Sequence, residues 1–354
     1  MKRMKWLFVV LSALLLLAAC SSGGSGGAVS TSSASGGSGG GSGNQPEKIV
    51  LRAANDFART QTTGKALDKF VEEVANLSGG KVEIQAFHDA QLGTQKDGIE
   101  KTLAKTVEMV EAGNSGLAQF GINAISVSEM PYLFSSFEAF EKAVTDPKVR
   151  SLIEKDIESR GLKLIAYRYF GPRHTLTKNP ARTFEDFENV KLRAPEFEIT
   201  IELMQAWGSK PVIIPLPEIY SSIQSGVVDG FEGPVTTILS NKTYEVAKYL
   251  SLTNHIFYPG YLVMNKEIFD SLSKEVQDIL LQAGKASEEY QLQLAREEDT
   301  NGLEELKKLG VEIISYPSME PFEQAGAQVR AKLSPKLTPE AQELLKALEE
   351  VVQK

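Results

Sequence analysis

Cysteine and histidine are scarce in this chain of 354 residues, which has one cysteine and three histidines. Cys20 has no second cysteine to pair with, so a disulfide within the chain is excluded. His88, His174 and His255 are far apart and lack metal-ligand spacing. We therefore expect neither a metal site nor a cofactor.

The motifs of several large enzyme classes are also missing. The chain has no His-Glu-x-x-His, Gly-x-Ser-x-Gly, Walker or dinucleotide-binding sequence. Its adjacent acidic pairs, such as Glu72-Glu73 and Glu288-Glu289, lie among lysines on predicted helices and indicate solvated faces. An acid–base pair need not be adjacent along a chain, but nothing here favours one. We predict a protein that is not an enzyme.

The N-terminus predicts export. Three basic residues precede the apolar stretch Trp6–Ala19, which is too short for an ordinary membrane-spanning helix. Small residues then lead directly into Cys20, an order that resembles a bacterial lipoprotein signal. We predict a signal peptide over residues 1–19 and a lipid on Cys20. An ordinary signal peptide followed by a chance cysteine is the alternative.

The segment after the signal lacks the residues needed for a core. Ser21–Gly43 is almost wholly serine, glycine, alanine and threonine, so residues 20–46 should form a lipidated, flexible linker. Removal of the signal leaves 35 basic against 46 acidic residues, a net charge of −11. That charge disfavours nucleic acid as a partner. We place the protein outside the cytoplasm, periplasmic or at the cell surface, anchored to a membrane by lipid.

Strand-like and helix-like segments alternate from residue 47 onward, which predicts an α/β fold with mostly parallel sheets. Thr63 is the predicted cap of the first helix, and Thr338 that of the last. Two short strands, Tyr249–Asn254 and Tyr261–Asn265, have no convincing helix between them and indicate crossing segments. A long one-sided apolar stripe after Ser273 predicts a helix that spans both halves.

Two arginines stand where predicted elements end. Arg193 lies in the short strand Lys191–Pro195, and Pro195 disfavours helical geometry before the next helix begins. Ligands of open α/β sheets bind at such strand ends. Arg173 precedes this strand, and Asp229–Pro234 follows it as a predicted acidic turn. Together these features predict a pocket for a small anion.

Two asparagines also stand at predicted strand ends. Asn55 follows the first strand and Asn114 follows the third. Small polar residues at these positions either offer hydrogen bonds to a ligand or form an ordinary turn. We include both asparagines among the predicted binding residues.

Four pieces of the sequence resemble the extracytoplasmic solute receptors of tripartite ATP-independent periplasmic (TRAP) transporters, the C4-dicarboxylate-binding family. These pieces are Gly171–Lys178; Thr183–Phe187 with Lys191–Pro195; Pro215–Tyr220 with Gln224–Pro234; and the outlying matches Gln91–Gly93, Met130–Leu133 and Thr253–His255. The resemblance covers essentially the whole globular part. Each piece is weak alone, but their combination and order are specific.

The resemblance implies a two-lobed periplasmic binding protein, type II-like, with crossing strands and a long bridging helix. Lobe I is predicted to comprise residues 47–170 plus 259–298, and lobe II residues 171–258 plus 299–354. The ligand is expected in the cleft between the lobes.

The resemblance also implies roles for individual residues. Arg193 is expected to hold the substrate carboxylate through two hydrogen bonds, because a guanidinium presents a planar fork that lysine lacks. Arg173 is expected to support it, with Phe231, Glu232 and Gly233 nearby.

Two positions depart from the family pattern. Asn189 stands where many members have glycine, but asparagine tolerates the same left-handed turn. Gly233 stands where many members have an asparagine that helps to bind the ligand, so a different or larger acid is expected.

The resemblance thus implies a receptor that passes a small organic acid to the integral membrane subunits of a TRAP transporter, and we expect a monomer. One alternative is the substrate-binding lipoprotein of an ABC importer, which has a similar two-lobed fold. A less favoured alternative is a secreted enzyme acting on a carboxylated sugar. C4-dicarboxylates, sugar acids and keto acids all remain open as ligands.

Overall fold

A computed structural model describes residues 48–353, except for the side chains of Asp299 and Thr300. The predicted signal peptide, the lipid site at Cys20 and the linker over residues 20–46 lie outside the described residues. Between residues 48 and 353, no helix is both long and apolar enough to cross a membrane.

Strands and helices alternate through most of the described chain. The strands are β1 Ile49–Ala54, β2 Val82–Phe87, β3 Met109–Gly113, β4 Leu162–Phe170, β5 Arg173–Thr177, β6 Lys191–Ala194, β7 Lys210–Ile213, β8 Gly230–Pro234, β9 Tyr249–Ser251, β10 Tyr258–Asn265 and β11 Glu312–Ile314. The α-helices are α1 Thr62–Leu77, α2 Gln95–Leu103, α3 Asn114–Ala118, α4 Phe137–Thr145, α5 Pro147–Glu158, α6 Glu198–Ala206, α7 Ile219–Ser225, α8 Val235–Ser240, α9 Lys266–Ser271, α10 Lys274–Lys308, α11 Glu320–Leu333 and α12 Pro339–Val352.

The first sheet has the strand order β2-β1-β3-β10-β4. Strand β1 is parallel to β2 and β3, as the βαβ alternation predicts, whereas β10 is antiparallel to both of its neighbours. Helix α1 packs on this sheet through a buried stripe that includes Leu67, Phe70 and Val74. Its N-cap is Gln61, so the predicted cap at Thr63 was wrong.

The second sheet has the strand order β11-β9-β5-β8-β6-β7. Its strand β8 corrects a prediction, because Asp229–Pro234 is not an acidic turn. Residues 230–234 pair antiparallel with β5 and parallel with β6, and all five are buried. The glycine that suggested a turn serves close packing instead, since a Cβ atom on Gly230 would lie 2.1 Å from the Leu176 carbonyl oxygen.

Two chain crossings join the sheets side by side. Gly171-Pro172 leads from β4 into β5, and residues 252–257 lead from β9 into β10. The crossings are hydrogen-bonded to each other, since the Arg173 amide donates to the Ile256 carbonyl oxygen at 2.9 Å. The predicted crossing segments are therefore present, although β10 begins at Tyr258, three residues earlier than expected.

Two C-terminal helices tie the lobes together. Helix α10 runs without interruption for 35 residues and packs against α1 and β4 on one side and α8 on the other. Helix α12, capped by Thr338 as predicted, packs against α4 and α5 of the first lobe. The apolar face of α12 is therefore buried against helices of the predicted lobe I.

Candidate functional site

The two sheets present their ends to a shared cavity of about 220 Å³. Residues at the carboxyl ends of β1, β3, β6 and β8 line it, together with the first residues of β5 and β10. The antiparallel direction of β5 and β10 is what brings their first residues to the same edge. The cavity thus lies where α/β folds place ligands.

Arg193 reaches this cavity from the end of β6. Its Nε donates to the Ile214 carbonyl oxygen at 2.7 Å, which holds the guanidinium in place. Its two terminal nitrogens make no hydrogen bond to any described residue, although the residue is only 6% exposed. Burial and the neighbouring Arg173 lower the pKa of Arg193 to about 10. Arg193 is thus a buried cation whose two terminal nitrogens have no hydrogen-bond partner among the described residues.

Arg173 is paired with protein instead. Its Nε and Nη2 both donate to the Glu232 carboxylate, the latter at 2.5 Å, and its guanidinium lies 4.8 Å from the ring centre of Tyr258. On its other side, Glu232 contacts His255 Nε2 at 3.1 Å. Burial alone would raise the pKa of Glu232, but Arg173 and His255 hold it well below its usual range. This pair leaves no net charge at its end of the cavity.

Three further acids line the cavity, of which Glu196 is exposed and Asp56 and Glu129 have raised pKa values. Asp56 accepts a hydrogen bond from the backbone amide of Gln95 at 3.1 Å, yet burial raises its pKa to about 6. Glu129 comes from the short 3-10 helix Ala124–Glu129, and burial raises its pKa to about 8. Both carboxyl groups are weaker acids than they would be in water.

Aromatic rings form an apolar part of the wall. Tyr258 stacks on Phe170 with ring centres 4.3 Å apart and planes 7° apart, and Phe57 packs against Phe170 at 5.4 Å. Phe57, Phe231 and Tyr258 line the cavity itself. The combination of one open guanidinium, several acids and an apolar wall suits a ligand that carries one carboxylate together with hydroxyl groups and C–H faces.

The structure brings most of the predicted site residues together. Arg173, Arg193, Phe231, Glu232 and Gly233 all line the cavity. They lie together because β5, β6 and β8 are adjacent in the second sheet.

Asn55 and Asn114 do not line the cavity. Asn55 pairs with His88 Nδ1 at 3.0 Å and accepts from the Phe57 amide, while Asn114 donates to the Ile125 carbonyl oxygen and Ser128 Oγ. Both are buried behind the wall. The hydrogen bonds of both side chains are therefore made to the protein, where the sequence analysis predicted direct contacts with a ligand.

Several lining residues escaped the sequence analysis, among them Asp56, Tyr258 and Glu129. Asp56 is one residue from the predicted Asn55, and adjacent residues at a strand end point to different sides. Tyr258 was missed because the start of β10 was placed too late. Glu129 carried no strand-end or motif signal.

The two departures from the family pattern have structural consequences. Asn189 has φ of 64°, in the left-handed region as expected. A Cβ atom at Gly233 would lie 3.0 Å from Phe231 Cε2, so a side chain there would crowd the wall. Its absence leaves room beside Phe231 and Thr237, which both line the cavity. Within residues 48–353 no cluster of three or more potential metal ligands occurs.

Comparison with known proteins identifies the family. The model of bacterial extracellular solute-binding protein, family 7, matches residues 53–336, which include every cavity-lining residue. The chain belongs to this family. Family 7 proteins serve transport, so the prediction of a binding protein rather than an enzyme is confirmed.

Individual family 7 relatives support the same assignment. The 2,3-diketo-L-gulonate-binding periplasmic protein of Escherichia coli K12 is 30% identical over 304 residues, covering 85% of this chain and 92% of the relative. The C4-dicarboxylate-binding periplasmic protein of Rhodobacter capsulatus is 27% identical over 293 residues, covering 83% and 85%.

Solved structures show the same fold. The TRAP periplasmic solute-binding protein of Sulfitobacter sp. NAS-14.1, with bound β-D-galacturonate, superposes with a TM-score of 0.80 at 28% identity and covers 85% of this chain and 99% of its own. That of Polaromonas sp. JS666, bound to D-erythronate, has a TM-score of 0.80 at 25% identity and covers 85% of this chain and 98% of its own.

The predicted two-lobed α/β fold is confirmed. The protein is an extracytoplasmic TRAP solute-binding protein for small organic acids, and the ABC-importer and enzyme alternatives are set aside.

Proposed function

We propose that this protein captures a monocarboxylic sugar acid, with Arg193 as the carboxylate clamp, and passes it to the membrane subunits of a TRAP transporter. The proposal rests on one observation: the two terminal nitrogens of Arg193, at the cavity wall, have no hydrogen-bond partner among the described residues. Burying a guanidinium without an anionic partner costs free energy. A carboxylate that is hydrogen-bonded to both terminal nitrogens offsets that cost.

Apart from Lys96, which is exposed, the charges around the cavity favour one carboxylate over two. Arg173 is already paired with Glu232, so its guanidinium is not available to bind a second carboxylate through two hydrogen bonds. Asp56 adds acidic oxygens that would repel a second carboxylate and accept hydrogen bonds from hydroxyl groups. A polyhydroxylated monocarboxylate fits this arrangement better than a C4-dicarboxylate.

Similar proteins support this ligand class. The structures from Sulfitobacter and Polaromonas hold β-D-galacturonate and D-erythronate, which both combine one carboxylate with several hydroxyls. The room that Gly233 leaves beside Phe231 and Thr237 favours an acid larger than a four-carbon chain.

Calorimetry with matched acids tests the ligand class. We expect D-galacturonate or D-glucuronate to bind at least tenfold more tightly than succinate, which has two carboxylates and no hydroxyl group. Hexanoate is the control for a single carboxylate without hydroxyls and should bind weakly. Tighter binding of succinate than of every sugar acid would overturn the proposal.

We also propose that Cys20 carries the lipid anchor. The support is the order of basic, apolar and small residues before Cys20, and the Ser/Gly-rich segment after it. A Cys20→Ser variant should leave the membrane fraction, while a Ser21→Ala variant should stay there. Retention of Cys20→Ser in the membrane fraction would contradict the anchor.

A further inference from the structure

Gln61 connects the two sides of the ligand cavity although it does not line the cavity itself. It directly precedes helix α1, which follows β1 of the first sheet. Its Nε2 donates to Thr237 Oγ1 at 3.0 Å and to Thr236 Oγ1 at 3.4 Å. Both threonines lie in the first turn of α8, which follows β8 of the second sheet, and Thr237 lines the cavity. We call this contact the Gln61–Thr237 bridge.

The bridge is shielded from solvent, since Gln61 is 1% exposed and Thr237 is 5% exposed. A second glutamine also reaches across the cavity, because Gln119 Nε2 donates to the Glu196 carbonyl oxygen at 3.3 Å. Both residues of that second contact are exposed, so water competes for the same groups. The buried bridge is therefore expected to contribute more to holding the two sides together.

The amide of Gln61 has no role in starting its own helix. Gln61 is the N-cap residue of α1, but its side chain makes no capping hydrogen bond. Its Oε1 is buried and has no hydrogen-bond partner among the described residues. Because a buried acceptor without a partner lowers stability, an apolar side chain would suit a purely structural position better. The hydrogen bonds to α8 are what the amide adds.

The bridge also decides how the Thr237 hydroxyl is used. A hydroxyl group has one proton to donate and two lone pairs, and Thr237 Oγ1 accepts from Gln61. It makes no other hydrogen bond to the residues that the structure describes. The proton of Thr237 is therefore available to a ligand in the cavity that this residue lines.

Ligand entry requires the two sides of the cavity to separate. Arg173 and Arg193 are only 8% and 6% exposed, so an acid of several carbon atoms has no open route to them. The two sheets are joined by the chain crossings at residues 171–172 and 252–257, and such connections allow closure by a hinge motion. Separation of the sheets breaks the Gln61–Thr237 bridge, and closure forms it again.

We infer that Gln61 is a positioning residue that holds the two sides of the cavity together around a bound acid, and that it keeps Thr237 as a hydrogen-bond donor to that acid. Because the bridge forms on closure, it slows dissociation of the ligand without contacting it. The inference rests on the proposed function for the place of the ligand, but not for the class of acid.

Stopped-flow kinetics of the variant Gln61→Met test the bridge. Methionine keeps the length of the side chain but cannot donate to Thr237. With D-galacturonate as the probe, the affinity should fall about three- to tenfold, mainly through faster dissociation. The ligand-free variant should melt at or above the wild-type temperature. The control Gln328→Met, at an exposed position on α11, should bind as wild type does. Unchanged dissociation from Gln61→Met would overturn the inference.

A double-mutant cycle tests whether Gln61 acts through Thr237. Thr237→Val removes the hydroxyl, so adding Gln61→Met should weaken binding by less than about twofold further. Thr237→Ser keeps the hydroxyl, and in that background Gln61→Met should retain its full effect. Equal effects of Gln61→Met in the wild-type and Thr237→Val backgrounds would overturn the role of Thr237.

Failure of the proposed function can be told apart from failure of the bridge. If succinate binds wild type more tightly than every sugar acid, the proposed ligand class is wrong, and succinate becomes the probe for the same variants. If none of these acids binds, small-angle scattering of the ligand-free proteins decides. Gln61→Met should then have a larger radius of gyration than wild type, because its two sides separate more readily. Equal radii would overturn the bridge.

Discussion

Two buried arginines of this protein differ in how their nitrogens are used. In the first sheet, Arg168 donates to Glu111 Oε1 through Nε at 3.0 Å and Nη2 at 2.7 Å, and its Nη1 reaches the Tyr167 carbonyl oxygen and Ser287 Oγ. In the second sheet, Arg193 uses only Nε on the protein. Both side chains are almost inaccessible, so burial does not distinguish them.

The difference shows what marks a binding residue. Every nitrogen of Arg168 has a protein partner, so its contribution is to the stability of lobe I. Arg193 lacks partners for its two outer nitrogens in the described protein, so its hydrogen-bonding capacity is available to a ligand. Arg173 is intermediate, because it lines the cavity but is held by Glu232. Substitutions should separate these three roles.

The largest effect is expected for Arg168→Met. The change leaves Glu111 buried without its cation, which should lower the free energy of unfolding by about 3–5 kcal/mol. Urea denaturation measures this loss. The double variant Arg168→Met/Glu111→Leu removes both charges and should recover much of it. A single variant within about 1 kcal/mol of wild type would show that the pair is not structural.

The substitution Arg193→Lys should act on binding instead of stability. Lysine keeps the charge but loses the fork, and the affinity for a sugar acid should fall by about 3–5 kcal/mol, or two to four decades. The ligand-free protein should melt at or slightly above the wild-type temperature. Arg182→Lys, at an exposed ion pair with Glu312, is the control. Binding within a factor of three of wild type would exclude Arg193 as the clamp.

A smaller and mixed effect is expected for Arg173→Lys. Lysine can remain beside Glu232 but cannot make both hydrogen bonds, so about 1.5–3 kcal/mol should be lost, divided between stability and affinity. Calorimetry and thermal melts on one preparation measure the two parts. An affinity loss as large as that of Arg193→Lys would mean that both arginines grip the ligand.

The smallest effect concerns a buried histidine, His174. Burial lowers its pKa to about 3, so it stays neutral in the folded protein while the unfolded chain takes up a proton below about pH 6.5. Wild type should therefore lose about 1–2 kcal/mol of stability between pH 7 and pH 5 through this residue. The variant His174→Gln should lose less over the same range. Parallel denaturation profiles for the two proteins would argue against a buried neutral histidine.

Most of the fold followed from local patterns in the sequence. The long helix after Ser273 was placed well, because strong periodicity and a helix cap act within a few residues. Strand β8 was mistaken for a turn, because Gly230 and Pro234 normally interrupt elements. Its pairing with β5 and β6 supplies hydrogen bonds that no local pattern reveals.

The site was predictable where a strand end carried a distinctive residue. Arg193 and Arg173 combine such positions with a residue type suited to carboxylates. Glu129 was not predictable, because the 3-10 helix that carries it is held at the cavity by contacts with distant elements such as α12 and β10. Asn55 illustrates the limit of strand-end arguments, since its side chain turns inward to His88 while the next residue faces the cavity.

The position of β10 between β3 and β4 has a consequence for the order of folding. Residues 258–265 are needed before the first sheet is continuous, and β4 has no other strand partner in the described chain. A nascent or partly translocated chain that ends before Tyr258 would expose unpaired backbone groups on both β3 and β4. Such edges pair readily with other chains. Lobe I can therefore complete its sheet only after roughly three quarters of the polypeptide has been delivered to the compartment where it folds.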